Sequence, residues 1–151
     1  MKNIKIIIEK TKIMQEVSIA SAYTGIKSDN GDEFYARVAT ASADETLLSR
    51  YWIEICGKLM EKLRHFIRGS QYGQDSLELE LEVSGSFDDS LTEAVKHDLM
   101  AGAANGVTAG WFALTCPDKA DEYSAKSEAL IDRAVSNLYY KKAPRKKGGR
   151  D

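Results

Sequence analysis

The chain has 151 residues, 43% hydrophobic and 29% charged, enough for one domain burying roughly 70% of the surface its unfolded form exposes. Cys56 and Cys116 lack the paired spacing of a zinc site and are too few for a secreted disulfide framework, which points to a reducing compartment. The apolar run Ile6 to Ile8 is too short for a signal-peptide core, and no stretch approaches the ~18 apolar residues of a membrane span, so a soluble, unprocessed chain with no membrane contact is expected.

Residues 2 to 8 set Ile4, Ile6 and Ile8 against Lys5, and their β-branched content predicts a short strand whose alternation is broken by Ile7. From Thr11 the period changes. Ile13, Val17, Ala20 and Thr24 fall on one helical face, with Thr11 as N-cap and Gly25 as the expected C′ residue. Ser28 to Glu33 reads as a turn, and Phe34 to Thr40 as a connector.

Ser42 to Ile67 is the longest uninterrupted pattern. Leu48, Trp52, Ile55, Leu59, Leu63 and Phe66 recur at three- and four-residue spacing, and Ser42 with Glu45 forms a capping box. This helix is expected to be the central rod, ending near Arg68 and Gly69, with residues 69 to 76 as loop. Leu77, Leu79, Leu81 and Val83 then alternate with Glu78, Glu80 and Glu82, the cleanest strand in the chain. Its partner is either residues 2 to 8, with Lys5 opposite the glutamates, or the same strand of a neighbouring subunit.

Ser90 and Glu93 form a second capping box before a helix through Leu91, Val95, Leu99, Ala103, Val107, Trp111 and Leu114. Gly102, Gly106 and Gly110 in its interior each cost ~1 kcal/mol relative to alanine, so either another backbone passes close or the helix breaks, and close packing is the expected outcome. Pro117 opens a last helix carrying Ala120, Tyr123, Ser127, Leu130, Ala134 and Leu138 on one face. The expected fold is mainly α (α+β): a four-helix bundle over residues 1 to 140 with a small antiparallel two-stranded β element, followed by an extended basic C-terminal tail over 141 to 151.

Net charge is −2, with 21 basic and 23 acidic residues. Six of those basic residues and one acidic residue lie in 141 to 151, which leaves 15 basic against 22 acidic before it. Lys141, Lys142, Arg145, Lys146, Lys147 and Arg150 therefore form a candidate interaction tail, for a nucleic acid backbone or an acidic protein surface, with a merely solubilising tail as the third alternative. Fully extended, the tail would reach ~35 Å at ~3.3 Å per residue.

The remaining candidates have ordinary explanations. His65 and His97 have no ligand-type residue at metal spacing and are read as structural or surface residues. Cys116, at a helix start where the dipole favours a thiolate, has no histidine placed to activate it. Ser90 lies in no nucleophile motif, and the three glycines lack the Gly-Lys-Ser/Thr of a phosphate loop. Glutamates two apart on a strand stand in a line and do not converge on a cation. No enzyme, metal or cofactor is expected.

Four segments carry a resemblance: A-Y-T-G-I-K at 22–27, Y-A-R-V-A-T at 35–40, D-E-T-L-L-S-R-Y-W-I-E at 44–54 and L-Y-Y-K-K-A-P-R-K at 138–146. They resemble small proteins of phage and prophage structural clusters in Bacteroides-type bacteria, a group similar to head–tail connector or neck components. The resemblance implies a virion structural protein made in the host cytoplasm. It further implies a ring of identical subunits beneath the portal, with the portal and other neck or tail proteins as partners and with non-specific DNA contact through the tail. It carries over no catalytic residue. The alternative reading is a nucleic-acid-binding accessory protein that uses the same tail. On the connector reading, Arg50, Glu54, Lys58, Glu61 and Arg64, off the apolar stripe, become candidates for contacts between subunits, against the ordinary reading of each as part of a solvated face with helical ion pairs.

Overall fold

A strand with four apolar residues on one face has backbone donors and acceptors along both edges, and each needs a partner. The computed structural model, which describes residues 1–26 and 44–143, supplies two. β1 (Lys2–Glu9) pairs antiparallel with β3 (Ser76–Val83), setting Lys5 opposite Glu80. β2 (Ile67–Tyr72) pairs antiparallel with the other edge, so the sheet has three strands in the order β1-β3-β2.

Of the two partners expected for β3, residues 2 to 8 are the one found, but the expected two-stranded element is corrected to three strands: β3 is central and both its edges are occupied. The strand read as a loop was hidden because IRGSQY has no clean alternation. A bulge between Ile67 and Gly69 shifts its register, and Gly73 closes the hairpin by donating its N–H to the Ser76 carbonyl at 2.9 Å. A Cβ on Gly69 would stand 3.3 Å from a Glu80 carboxylate oxygen, so the bare glycine leaves room for that side chain. Along β1, Ile4, Ile6 and Ile8 are buried and Ile7 is half exposed on the outer face, so the alternation holds through the residue that seemed to break it.

The described residues also form four helices: α1 (Lys10–Ile26), α2 (Glu45–Lys62), α3 (Thr92–Thr115) and α4 (Pro117–Tyr139). The molecule is mainly helical with a small antiparallel sheet. α1 follows β1 without a cap residue. Thr11 and Gly25 both lie inside it, contrary to their expected roles as cap and C′ residue, and the Lys10 N–H is taken by the Asp75 carbonyl at 2.9 Å. Ser42, the turn at 28–33 and the connector at 34–40 lie outside the described residues.

α2 ends at Lys62, five residues before Ile67. The Leu63 N–H still bonds four residues back to Leu59, but those of Arg64 and Phe66 bond only three residues back, to Glu61 and Leu63, and the chain turns into β2. All six stripe residues from Leu48 to Phe66 are nonetheless buried. At α3 the capping box is replaced by a different device. The Asp88 carboxylate accepts from both the N–H and the hydroxyl of Ser90, and a short 3₁₀ turn at Asp89–Leu91 leads into the helix.

α3, rather than the Ser42–Ile67 stretch, is the central rod, packing against α1, α2, α4 and β1. Its expected stripe is buried from Val95 to Trp111, and Asp98, Gly102, Ala104, Thr108 and Phe112 widen that face, whereas Leu114 is exposed. On α4, Ile131 rather than Leu130 is the fully buried residue.

The helix does not break and the glycines are sites of close packing, as expected, although side chains rather than another backbone come nearest. A Cβ at Gly102 would lie 2.8 Å from Ile131 Cγ1 of α4, at Gly106 2.5 Å from Ile55 Cδ1 of α2, and at Gly110 2.8 Å from the Tyr51 ring of α2. Gly57, inside α2, has nothing within 4 Å of such a position. The two sites should therefore respond with opposite signs. Gly102→Ala is expected to lower stability by about 1–2 kcal/mol, because overpacking against Ile131 outweighs the ~1 kcal/mol gain in helix propensity, and Gly57→Ala to raise it by about 0.5–1 kcal/mol. Urea denaturation of both variants checks this.

Candidate interaction surface

The tail is the strongest candidate site, and its position depends on how the last helix ends. Tyr140 is extended (φ −68°, ψ 130°) and turns the chain back towards the loop after β3. There Lys141 forms an antiparallel bridge with Phe87, and the Lys142 N–H donates to the Ser86 carbonyl at 2.7 Å. Phe87 is buried and fixes the loop. The tail's root is thus held by backbone hydrogen bonds as far as Lys142, beyond the expected end of the body at Tyr140. The side chains of Lys141 and Lys142 are exposed. Arg145, Lys146, Lys147 and Arg150 lie outside the described residues.

The other chain end meets the same loop. The Lys2 ammonium donates to the Phe87 carbonyl at 3.1 Å and to the Asp89 carboxylate at 3.0 Å. Hydrogen bonds from Ser90 hold the Asp88 carboxyl below its usual range against desolvation, with the charges of Lys142 and Lys2 adding lesser contributions. Phe66, just beyond α2, packs edge-on against Tyr139 with ring centroids 4.7 Å apart.

The row Glu78, Glu80, Glu82 lies on the outer face of the sheet, where Lys5 stands 3.9 Å from Glu78 and Arg68 pairs with Glu82. Among the described residues, no group of three or more His, Cys, Asp or Glu is placed to hold a metal ion, and no helix is long and apolar enough to cross a membrane. His65 and His97 are both exposed, and His97 Nδ1 lies 3.7 Å from the Asp98 carboxylate.

Sequence reasoning missed two charged contacts. Asp98, buried in the face of α3, accepts two hydrogen bonds from the Arg133 guanidinium of α4 at 2.8 and 2.7 Å. Lys58 and Lys62 of α2 bridge to Glu128 and Asp132 of α4, so Lys58 is already engaged within the chain and is less available as an inter-subunit contact. The signal was present as two complementary i, i+4 pairs on separate helices, Lys58 with Lys62 and Glu128 with Asp132, but nothing in the sequence said that α2 and α4 lie side by side. The Arg50, Glu54, Glu61 and Arg64 side chains remain exposed, with Ile53 among them 56% exposed.

No protein-family model, curated protein or solved structure matches this chain.

The two hydrogen bonds from Arg133 hold the Asp98 carboxyl below the usual carboxylate range against the opposing effect of burial. A carboxyl depressed in the folded state contributes stability in full above its unfolded value of ~3.9, and that contribution is lost as pH falls through the folded value. Arg133→Gln is therefore expected to lower the urea midpoint at pH 7, with the gap to the parent chain narrowing as the solution is acidified below pH ~4. Burial pushes the Cys56 thiol up to about 12, whereas Cys116 is half-buried at the start of α4. A thiol reagent at neutral pH should label Cys116 first and Cys56 only on unfolding, which mass spectrometry of the labelled peptides would show.

Proposed function

We propose that this chain is a virion structural protein of the head–tail connector type, whose four helices act as a bundle and whose copies assemble side by side as a ring beneath the portal. Four segments resembling phage and prophage structural proteins support the reading, as does the combination of a helical body, a small sheet and a basic C-terminal arm.

The observation that carries it is the distribution of contact surfaces. With β3 enclosed, the sheet ends on one side at β1 and on the other at β2, and both outer edges are unpaired among the described residues. Opposite edges of one subunit are suited to a heterologous contact, in which one face meets a different face of the next copy and the series closes into a ring. The solvent side of α2 adds Ile53, an exposed apolar residue set among Arg50, Glu54, Glu61 and Arg64. The root at Lys141 and Lys142 leaves nine residues beyond it, which span at most ~30 Å and so reach a neighbouring subunit or the portal.

Electron microscopy and light scattering coupled to size exclusion, on the full chain alone and mixed with portal from the same phage, provide the test. Ring-sized species are expected, and Ile53→Glu should reduce them while leaving helical content unchanged. A particle that stays monomeric at every concentration and does not join the portal would overturn the reading.

A further inference from the structure

Three pieces of chain distant in sequence share one end of the molecule. The turn after α2 is held there because the Phe66 carbonyl accepts the Glu82 N–H at 2.7 Å while its ring meets Tyr139. The loop after β3 holds Lys141 and Lys142 through Phe87 and Ser86. Arg64 and His65 project from the first piece, and Tyr139, Tyr140, Lys141 and Lys142 from the last, all exposed. Both tyrosines are more than half exposed, at 57% and 56%.

This end is cationic locally, although the body is acidic as a whole. Arg64, Lys141 and Lys142 take part in none of the ion pairs formed among the described residues. On the loop after β3, Asp89 pairs with Lys2, while Asp88, which Ser90 holds as a carboxylate, is offset by the charges of Lys142 and Lys2, so the cations of this end outnumber the acids of that loop. The tail then continues with four more cations.

We propose that this surface binds single-stranded nucleic acid, with Tyr140 stacking on a base and with Arg64, Lys141 and Lys142 meeting the phosphates. Cations alone would suit any polyanion. Two exposed tyrosines, consecutive in sequence with Lys141 and Lys142, favour a strand whose bases are unstacked, because a base face is then available to an aromatic ring, whereas in a duplex it is covered by its neighbours. The proposal does not depend on ring assembly: a connector need not bind single strands, and a protein that binds them need not form rings.

Fluorescence anisotropy on the full chain, with a mixed-sequence DNA strand of about 20 nucleotides to cover one site, distinguishes the outcomes, using the same sequence as duplex and heparin as a polyanion without bases. The single strand should bind most tightly. Tyr140→Ala should weaken binding roughly five- to a hundredfold without altering the salt slope, and Tyr140→Phe should retain it. Arg64→Gln and Lys142→Gln should each flatten the dependence of log K on log salt by about 0.7. Circular dichroism should be unchanged in all of these exposed-residue variants. Equal or tighter binding of duplex or heparin, affinity indifferent to Tyr140→Ala, or no binding of the strand would each overturn the proposal.

Discussion

The structure depends on how closely two helices approach α3. Gly102, Gly106 and Gly110 recur every four residues, so they form one row, and that row is met by Ile131, Ile55 and Tyr51 at distances a methyl group would forbid. Three glycines cost about 3 kcal/mol of helix propensity. Seating large side chains from both neighbours in the space they vacate is worth about 1.5–3 kcal/mol for each one fully buried, which offsets the loss. The approach also brings polar groups within reach: the Ser127 hydroxyl of α4, itself buried, donates to the Gly102 carbonyl at 2.7 Å. α2 and α4 are drawn alongside each other, and the contacts of Lys58 and Lys62 with Glu128 and Asp132 close the seam on its solvent side. Surface pairs of this kind contribute little each. They follow from the glycine row and do not determine it.

The same placement organises the sheet. With α1, α2 and α4 all on α3, the inner faces of β1 and β3 are covered and their outer faces are left to solvent. Leu77, Leu79, Leu81 and Val83 consequently share the core with Ile4, Ile6 and Ile8. Because β1 and β3 run antiparallel, Lys2 lies opposite Val83, which puts the first residues of the chain beside the loop that receives Lys141 and Lys142. Chain ends so joined make the root of the tail a feature of the fold.

Much of this was legible where one local rule acted alone. The alternation of 77–83, the stripe from Leu48 to Phe66 and the expectation that α3's glycines mark close packing all rest on periodicity or on glycine's missing Cβ, and each reappears in the structure. What failed had a tertiary cause. β2 exists because β3 has a second edge to satisfy, a demand invisible in IRGSQY itself, and the apolar period running through Leu63 and Phe66 concealed the end of α2 because those residues stay buried after the helix has stopped. Ser90 looked like a cap by spacing, but Asp88 two residues earlier binds its N–H and takes that role. The surface at the tail's root was only half visible, since Lys141 and Lys142 are plain in the sequence while Arg64 joins them through the contact between Phe66 and Tyr139.

Net charge, read from composition, is a poor guide to what the molecule attracts. Many acids of the body are matched: Glu78, Glu82, Asp98, Glu122, Glu128 and Asp132 each lie within 4 Å of a lysine or arginine. At physiological ionic strength, where the field of an exposed charge decays over ~8 Å, such pairs contribute little to the potential a ligand meets farther away. Arg64, Lys141 and Lys142 have no such partner among the described residues, and the tail adds four cations to one acid beyond them. The asymmetry between the ends of this molecule therefore lies in pairing more than in total charge. On the proposal of single-strand binding, unpaired cations beside exposed tyrosines are what would hold the strand at the root of the tail.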